Sequence, residues 1–397
     1  MKYVNARDVL PEGLLKTVRK YYQGGYLYIP KESGRAADRK TEYKTELEKR
    51  NQHIFLKHLE GRSNSQLGVL YHLSEPSIRR ILAKERIRYQ EMEETIREIL
   101  PLWGMEGADF SQIYPSAWEI AGSHVLKVYT DRKPLERNIK ISAILLDCGI
   151  PVAEAVPAKT GDLCIECRNT YFVMTKKLQG NNLTDIRDKK LAREMGCAMA
   201  RLHAAFQKCE RDISFEDDLF WDNSLLKEMQ GWIRENLAKN QWQPVSQAEY
   251  SRAVGQLERV YDALPRQLIH RDVHFGNFLF REGRFSGYID FDLSQKNIRV
   301  FDLCYFLAGL LAEETQEAFA REEWLEIVKA VIAGYESVTA LSGQEKEAVC
   351  CVMECIEILF AAYFVGNKDT KLANDAYEIY CFIRNSETDL KRCINCV

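Results

Sequence analysis

LIHRDVHFGNFLFREGRFSGYIDFD, residues 268–292, alternates short apolar runs with polar breaks and sets an acid or an amide at each break. Leu268-Ile269 enter a polar loop as a strand, and Phe278-Leu279-Phe280 leave it as a second. Arg281–Arg284, which includes Gly283, then turns the chain into a third strand, Phe285–Ile289, that runs into Asp290. Asp272, Asn277 and Asp290 are thereby expected at neighbouring strand ends over one cleft. Two carboxylates and an amide oxygen so placed suit a hard divalent cation and a reacting hydroxyl.

Working outward, a chain of 397 residues has room for two or three domains and a large core. No run approaches the roughly 20 uncharged apolar residues of a spanning helix. The start, MKYVNARDVLPEG, has no apolar signal core, so a cytoplasmic protein without a membrane partner is expected. The twelve cysteines then read as reduced thiols. Cys164-x-x-Cys167 and Cys393-x-x-Cys396 have zinc-ligand spacing, but one pair falls in an expected hairpin and the other near the final residue, which disfavours one shared site. The net charge of -3 conceals a division. Residues 1–88 carry 19 Lys/Arg against 10 Asp/Glu, while the remainder carries 36 against 48. A basic head on an acidic body points to a polyanionic partner for the first and a cationic ligand for the second.

In the head, Pro11–Tyr22 is expected as a short helix, Tyr26–Pro30 as extended chain and Ser33–Lys40 as a polar, irregular stretch. Ile54, Leu56 and Leu59 belong to a helix that Gly61 stops. Ser63 caps a second helix with Leu67, Leu70 and Tyr71. Ser74 caps a third with Pro76 in its first turn and Ile78, Ile81 and Leu82 turned inward. This spacing resembles the DNA-binding helix-turn-helix of small bacterial regulators. The resemblance implies that Ser74, Glu75, Ser77, Arg79 and Arg80 face a groove of duplex DNA, with Arg62 and Lys84 near phosphates and a dimer reading the site. The plainer alternative is a helical docking module with solvated arginines.

Ile87–Leu102 is expected as a further helix joining head to body. Tyr114–Ile120 and His124–Tyr129 read as strands around Ala121-Gly122-Ser123, with Lys127 among apolar neighbours in the second. Pro134–Cys148 reads as a helix ended by Gly149, followed by a strand from Ile150-Pro151-Val152, a hairpin at Thr160-Gly161-Asp162 and a strand Tyr171–Met174. Thr175–Gly180 makes a polar link. Beyond residue 185 the chain is mostly helical, with His203 expected as a packing histidine and Glu216–Asp218 as a solvated acidic turn.

A strand lysine (Lys127), a helix glutamate (Glu136), a link, H-R-D-x-x-x-x-N and a strand-end acid answer the needs of phosphoryl transfer in turn. The lysine neutralises phosphate charge and the glutamate holds it extended. Asp272 accepts the proton of an attacking hydroxyl. Asn277 and Asp290 grip Mg2+, and an amide at 277 limits like-charge repulsion beside Asp290. His270–Asn277 taken with Ile289–Asp292 resembles the aminoglycoside phosphotransferase and choline kinase-like branch of the protein-kinase-like superfamily. Val125–Tyr129, Gly149–Val152, Ala200–His203 and Phe301-Asp302-Leu303 add matches, and the likeness covers about residues 95–397.

The resemblance implies an α+β, bilobal protein-kinase-like fold: a small β-rich N-lobe over 91–178 and a large helical C-lobe over 179–397, after a small all-α helix-turn-helix-like domain over 1–90. It also implies Asp272 as catalytic base, Asn277 and Asp290 as Mg2+ ligands, and Lys127 as the phosphate-binding lysine. Thr175, Lys176, Lys177 and Leu178 become the adenine-contacting hinge, Asp302 a structural acid, and His270 a packing residue. The cofactors are then ATP or GTP with Mg2+, and the acceptor is the hydroxyl of a small, cationic molecule. Asp-Phe-Asp at 290–292, the missing Ala-Pro-Glu and the absence of G-x-G-x-x-G before Lys127 separate the chain from conventional protein kinases. Asp292 is left as either a spare ligand or a turn residue. A transcription regulator with a kinase-like, non-catalytic sensor body is the alternative of a different class.

Overall fold

The computed structural model describes residues 36–71, 73–212, 224–312 and 318–395. The expected Pro11–Tyr22 helix, the Tyr26–Pro30 segment, the acidic turn at Glu216–Asp218 and Cys396 lie outside them. The chain divides into two units, Met1–Gln52 and His53–Val397. The described part of the first is the leading portion of helix α1 (Ala36–Leu59), so Ala36–Lys40 are helical where irregular chain was expected.

The second unit opens with the close of α1, where Gly61 takes the left-handed conformation (φ +96°). Helix α2 (Asn64–Leu70) starts in a capping box, with Ser63 bonding the Gln66 backbone and the Gln66 side chain bonding back. Helix α3 (Glu75–Ile99) starts on Ser74 with proline in its first turn. Ile54, Phe55, Leu67, Ile78, Ile81 and Leu82 close a small core between them. One expectation needs correcting: α3 runs 25 residues without a break. Nothing between Ser77 and Ile99 is glycine or proline, so the expected separate helix from Ile87 is its continuation. The boundary expected near residue 90 therefore falls inside a helix.

An antiparallel five-stranded sheet follows. It contains β1 (Phe110–Tyr114), β2 (Ala117–Ile120), β3 (His124–Tyr129), β4 (Ile165–Cys167) and β5 (Thr170–Lys176), in the order β1-β2-β3-β5-β4. Helix α4 (Arg132–Asp147) lies between β3 and β4 in the chain. Trp118, Ile120, Leu126, Phe172 and Met174 build the core of this sheet with Ile96 and Ile99 of α3. Three local expectations are revised. Tyr114–Ile120 is not one strand, because Pro115-Ser116 turns the chain between β1 and β2. The hairpin turn between β4 and β5 is Arg168-Asn169, both at positive φ (51° and 59°), rather than Thr160–Asp162. Ile150–Val152 forms no strand; Val152 makes a single bridge to Tyr288.

The rest is mainly helical. In chain order it contains β6 (Asn181–Asn182), α5 (Lys189–Asp212), α6 (Leu225–Glu228), α7 (Arg234–Lys239), α8 (Gln247–Tyr261), β7 (Arg266–Ile269), β8 (Phe278–Arg281), β9 (Arg284–Tyr288) and β10 (Gln295–Ile298). After these come α9 (Val300–Gly309), α10 (Arg321–Glu336), α11 (Gly343–Gly366), α12 (Thr370–Asn385) and α13 (Glu387–Asn395). Helices α5 and α10 cross backbone to backbone. A Cβ on Gly196 would lie 1.9 Å from the Val331 oxygen, and one on Gly334 would lie 2.0 Å from that of Arg193. Helix α11 is long and apolar enough to span a membrane by length and composition, although Glu354 and Glu357 interrupt its apolar run. Its Val349, Val352, Met353 and Ile356 are spent on the large core instead.

Candidate active site

The loop between β7 and β8 is held from behind by a buried acid. Asp302, in the first turn of α9, accepts the backbone N–H of His270 (2.8 Å) and of Arg271 (2.7 Å). Its Oδ2 also meets His203 Nε2 at 3.0 Å, while His203 Nδ1 meets the Tyr335 hydroxyl at 2.7 Å. His203 is thus a satisfied packing histidine. Arg271 adopts positive φ (69°), and its guanidinium donates to Gln295 (2.5 Å) and Glu228 (2.6 Å). A left-handed, non-glycine backbone is affordable where so many bonds over-determine it.

Asp272 emerges from this support with both oxygens engaged by neutral donors. Oδ1 accepts the Tyr305 hydroxyl at 3.0 Å and Oδ2 accepts Asn277 Nδ2 at 3.0 Å. Asn277 Nδ2 also donates to the Asp272 carbonyl (2.9 Å), which turns the amide oxygen away from the loop. The His274 ring accepts the Gly276 N–H through Nδ1 (3.0 Å), so Nε2 carries the proton and faces Asp272 Oδ2 at 3.5 Å. Only glycine fits at 276, since a Cβ there would lie 2.6 Å from the His274 ring. Burial by itself would raise the Asp272 carboxyl, but His274, His270 and the Tyr305 hydroxyl together hold it below the ordinary carboxylate range. Burial, with Asp272 next, raises Tyr305 well above its usual value, so that hydroxyl stays a donor. Asn182 ties the loop down by donating to the carbonyls of Phe275, Gly276 and Phe278.

A second charged cluster is made where β9 stops. Asp290 also adopts positive φ (66°), and its Oδ1 lies 3.3 Å from Lys127 Nζ. Lys127 reaches it from the middle of the sheet, paired with Ala117 on β2 and Val173 on β5. Burial works to raise Asp290, yet Lys127, a hydrogen bond with Asp292 and the charge on His270 bring it below the ordinary value. Asp292 is raised instead, by burial against the opposing pull of Lys127 and with the nearby Asp290 charge adding to it. Its side chain is neither a loose turn residue nor idle. It accepts the Tyr129 hydroxyl (2.9 Å) and the Asn138 amide, which bind it to β3 and α4.

Other expected residues fall differently. Glu136 does not hold Lys127; it pairs with Arg132 one helical turn back at 2.8 Å. The i,i+4 spacing satisfies it locally while Asp290 takes the lysine. Thr175 and Lys176 end β5, and Lys177 and Leu178 continue from it as the link. Thr175 Oγ1 donates to the Val125 carbonyl (3.2 Å), Lys176 pairs with Glu154 (2.5 Å) and Lys177 with Glu119. Leu178 lies against Gly287, where a Cβ would meet it at 2.9 Å. Ala121–Ser123, the expected turn between strands, is at the other end of the sheet from Asp290, where the Lys177 N–H donates to the Ser123 carbonyl (2.9 Å). The turn after Tyr114 lies beside Lys127 instead. The Tyr114 hydroxyl is raised by burial and by the charges of Asp290 and Asp272. The His53 ring stands edge-on to Tyr114 at 5.2 Å.

In the head, the Ser74 and Ser77 hydroxyls bond each other at 3.0 Å, Arg79 pairs with Glu75 at 3.1 Å, and Arg80 and Lys84 are exposed. Tyr305, Asn182, Tyr129 and Asn138 escaped the sequence reading because each reaches the site from a remote element. Tyr305 alone had a signal: it lies three residues after Asp302, one turn along the same helix.

The family model described as "Phosphotransferase enzyme family" matches residues 106–343, more than half of the chain. A homoserine kinase of Gluconobacter oxydans (strain 621H) is 28% identical over 222 residues, which cover 54% of this chain and 64% of that protein. The chain therefore spans just under two thirds of that relative. A homoserine kinase of Hyphomonas neptunium (strain ATCC 15444) is 30% identical over 253 residues, covering 62% of this chain and 74% of the relative. Among solved structures, an amicoumacin kinase in complex with AMP-PNP and Ca2+ superposes with a TM-score of 0.57 at 17% identity, over 77% of this chain and 96% of that one. A microcompartment-associated aminopropanol kinase superposes with a TM-score of 0.53 at 17% identity, over 76% and 98%. These superpositions show a shared mixed helix-and-sheet fold.

Proposed function

The chain belongs to the phosphotransferase enzyme family, and on that premise we propose that it moves the γ-phosphate of ATP or GTP, with Mg2+, to a hydroxyl of a small amine-bearing molecule. The observation that carries the reading is the division of labour in one loop. Asp272 is kept ionised by His274, His270 and the Tyr305 hydroxyl, while Asn277 spends its amide N–H on Asp272 and keeps its amide oxygen for a cation. Asp272 accepts the proton of the acceptor hydroxyl as that oxygen attacks phosphorus. Lys127 exchanges its Asp290 contact for the oxygens of the nucleotide phosphates, and Thr175–Leu178 hold the adenine or guanine edge. Asn277 and Asp290 offer hard oxygen ligands of the kind Mg2+ takes, with Asp292 behind them. When bound, Mg2+ supplies charge neutralisation on the phosphates. The homoserine kinase relatives and the -12 charge of residues 89–397 favour an amino alcohol or hydroxy amino acid as acceptor. Phosphate transfer from ATP and GTP to a panel of such compounds, with and without Mg2+, tests this. Nucleotide binding with no transfer to any alcohol would leave the sensor reading in its place.

For residues 1–90 the reading is duplex DNA. It is supported by exposed Arg79, Arg80 and Lys84 on one helix and by the local excess of positive charge. A salt-dependent shift of duplex DNA by the full chain, weakened in Arg79→Ala/Arg80→Ala, is expected. Salt-insensitive or absent binding would make the head a docking module, for which the exposed Val69 and Leu70 of α2 would be suited.

A further inference from the structure

Asp272 is met by α9, which packs on α11, and α11 contains a carboxyl that nothing among the described residues answers. Tyr305 of α9 donates its hydroxyl to Asp272 and packs its ring 5.8 Å from that of Phe360 on α11. One turn before Phe360, on the same face of α11, is Glu357, which is 3% exposed. It is near enough to Tyr305 for its charge to act on that hydroxyl. The other buried acids all have a basic partner: Glu85 has Arg88, Glu228 has Arg271, Asp302 has His203, Glu345 has Arg299 and Glu354 has Arg252. Glu357 has neither a hydrogen bond nor an ion pair among the described residues. An unanswered buried acid is costly, and burial alone pushes this carboxyl up to about 8.

Such a cost is retained where a ligand removes it. Glu357, Phe360 and Phe364 recur at helical spacing, and the two phenylalanine rings stack at 6.1 Å. A carboxylate at the inner end of an aromatic wall is a receptor for an organic ammonium ion, through a charge-assisted hydrogen bond and the ring faces. Since Asp272 and Glu357 both act on the one Tyr305 hydroxyl, a ligand that reaches both must be short.

We propose that Glu357 is the ammonium-binding residue of the acceptor site, taking a short amino alcohol or hydroxy amino acid whose hydroxyl faces Asp272 and whose amine rests between Glu357 and Phe360. This rests on the phosphotransferase reading and names the feature that selects its substrate.

Calorimetric titration of the full chain saturated with Mg2+ and AMP-PNP tests it. The probes are L-homoserine, ethanolamine and 1-amino-2-propanol against 4-hydroxybutyrate, ethylene glycol and 1,2-propanediol. The wild type is expected to prefer the amines. Glu357→Gln is expected to weaken their binding roughly 10- to 100-fold, the size of a lost hydrogen bond to a charged group, and to leave AMP-PNP and the amine-free probes unchanged. Its melting temperature should equal or exceed that of the wild type, because a carboxyl without a partner is being removed. Glu357→Asp, which keeps the charge, should retain part of the preference and serves if the glutamine variant does not fold. An amine preference that survives in Glu357→Gln overturns the inference, as does a wild type with no amine preference. In that second case, transfer to the amine-free alcohols would show the phosphotransferase reading standing without it. Amine preference with no transfer to any alcohol would sink the enzyme reading and keep the ligand site.

Discussion

The two ends of the cleft treat charge in opposite ways. At the phosphate end, Asp290 has Lys127, and Asp292 has Tyr129 and Asn138, so every carboxyl is answered from within the protein. At the acceptor end, among the described residues, Asp272 is answered only by neutral or weakly basic donors, and Glu357 by nothing. The difference teaches where each ligand charge belongs. The phosphate end can be assembled in the free protein because its lysine waits on its aspartate. On the proposed reading, the acceptor end is completed by the cation of its ligand.

The strongest way to break this comparison is at the residue both ends share. Asp272→Ala should lower kcat about 10²–10⁴-fold, the usual worth of a positioned general base, while AMP-PNP affinity holds. Steady-state kinetics beside equilibrium binding decides it, and unchanged turnover would remove Asp272 from the role of base. Next in size, Lys127→Met should cut kcat/KM for the nucleotide roughly 10²–10³-fold. It leaves Asp290 facing Asp292 without a cation, so the pair should take up a proton at higher pH than in the wild type, as carboxyl NMR titration would show. Equal nucleotide kinetics in that variant would mean that the lysine only neutralises Asp290.

The acceptor end can be sharpened through stability. Burial raises the Glu357 carboxyl from 4.5 to about 8. Between those values the folded protein holds a proton that the unfolded chain has released, so stability falls as pH rises through this interval and levels off above it. Denaturant unfolding across pH 4–9 should show a shallower decline in Glu357→Gln than in the wild type. Parallel curves would mean the carboxyl is solvated after all. The smallest effect is expected from Tyr129→Phe, which deletes one of two donors to Asp292 and should cost about 1 kcal/mol of stability with kcat altered severalfold at most. A larger loss would mean that Asp292 depends on β3 more than on α4.

Much of the catalytic loop was legible because its residues are neighbours in sequence. Asp272 and Asn277 belong to one loop, and Asp290 follows one hairpin later, so spacing alone brings them together. Lys127 was legible for another reason, as a charge embedded in an apolar strand. Glu136 was misplaced because helix position constrains a side chain only to a face, and Arg132 on that face satisfies it first. The turn beside Lys127 went unread because Pro115-Ser116 interrupts what otherwise reads as a single strand. Tyr305 was marked only by its place one turn after Asp302, and Glu357 had no local signature, since a glutamate on an apolar helix looks like an ordinary solvated residue.

The sequence by itself determined the class of chemistry, through the short loop that sets the proposed base and metal ligands a few bonds apart. What only the tertiary structure decided is which long-range partner each charge receives. That Asp290 takes Lys127, that Asp292 is anchored by Tyr129 and Asn138, and that Glu357 takes no partner among the described residues depends on how helices α4, α9 and α11 pack. Packing is a property of whole faces rather than of spacing, and the energy of a buried charge depends on its neighbours in space.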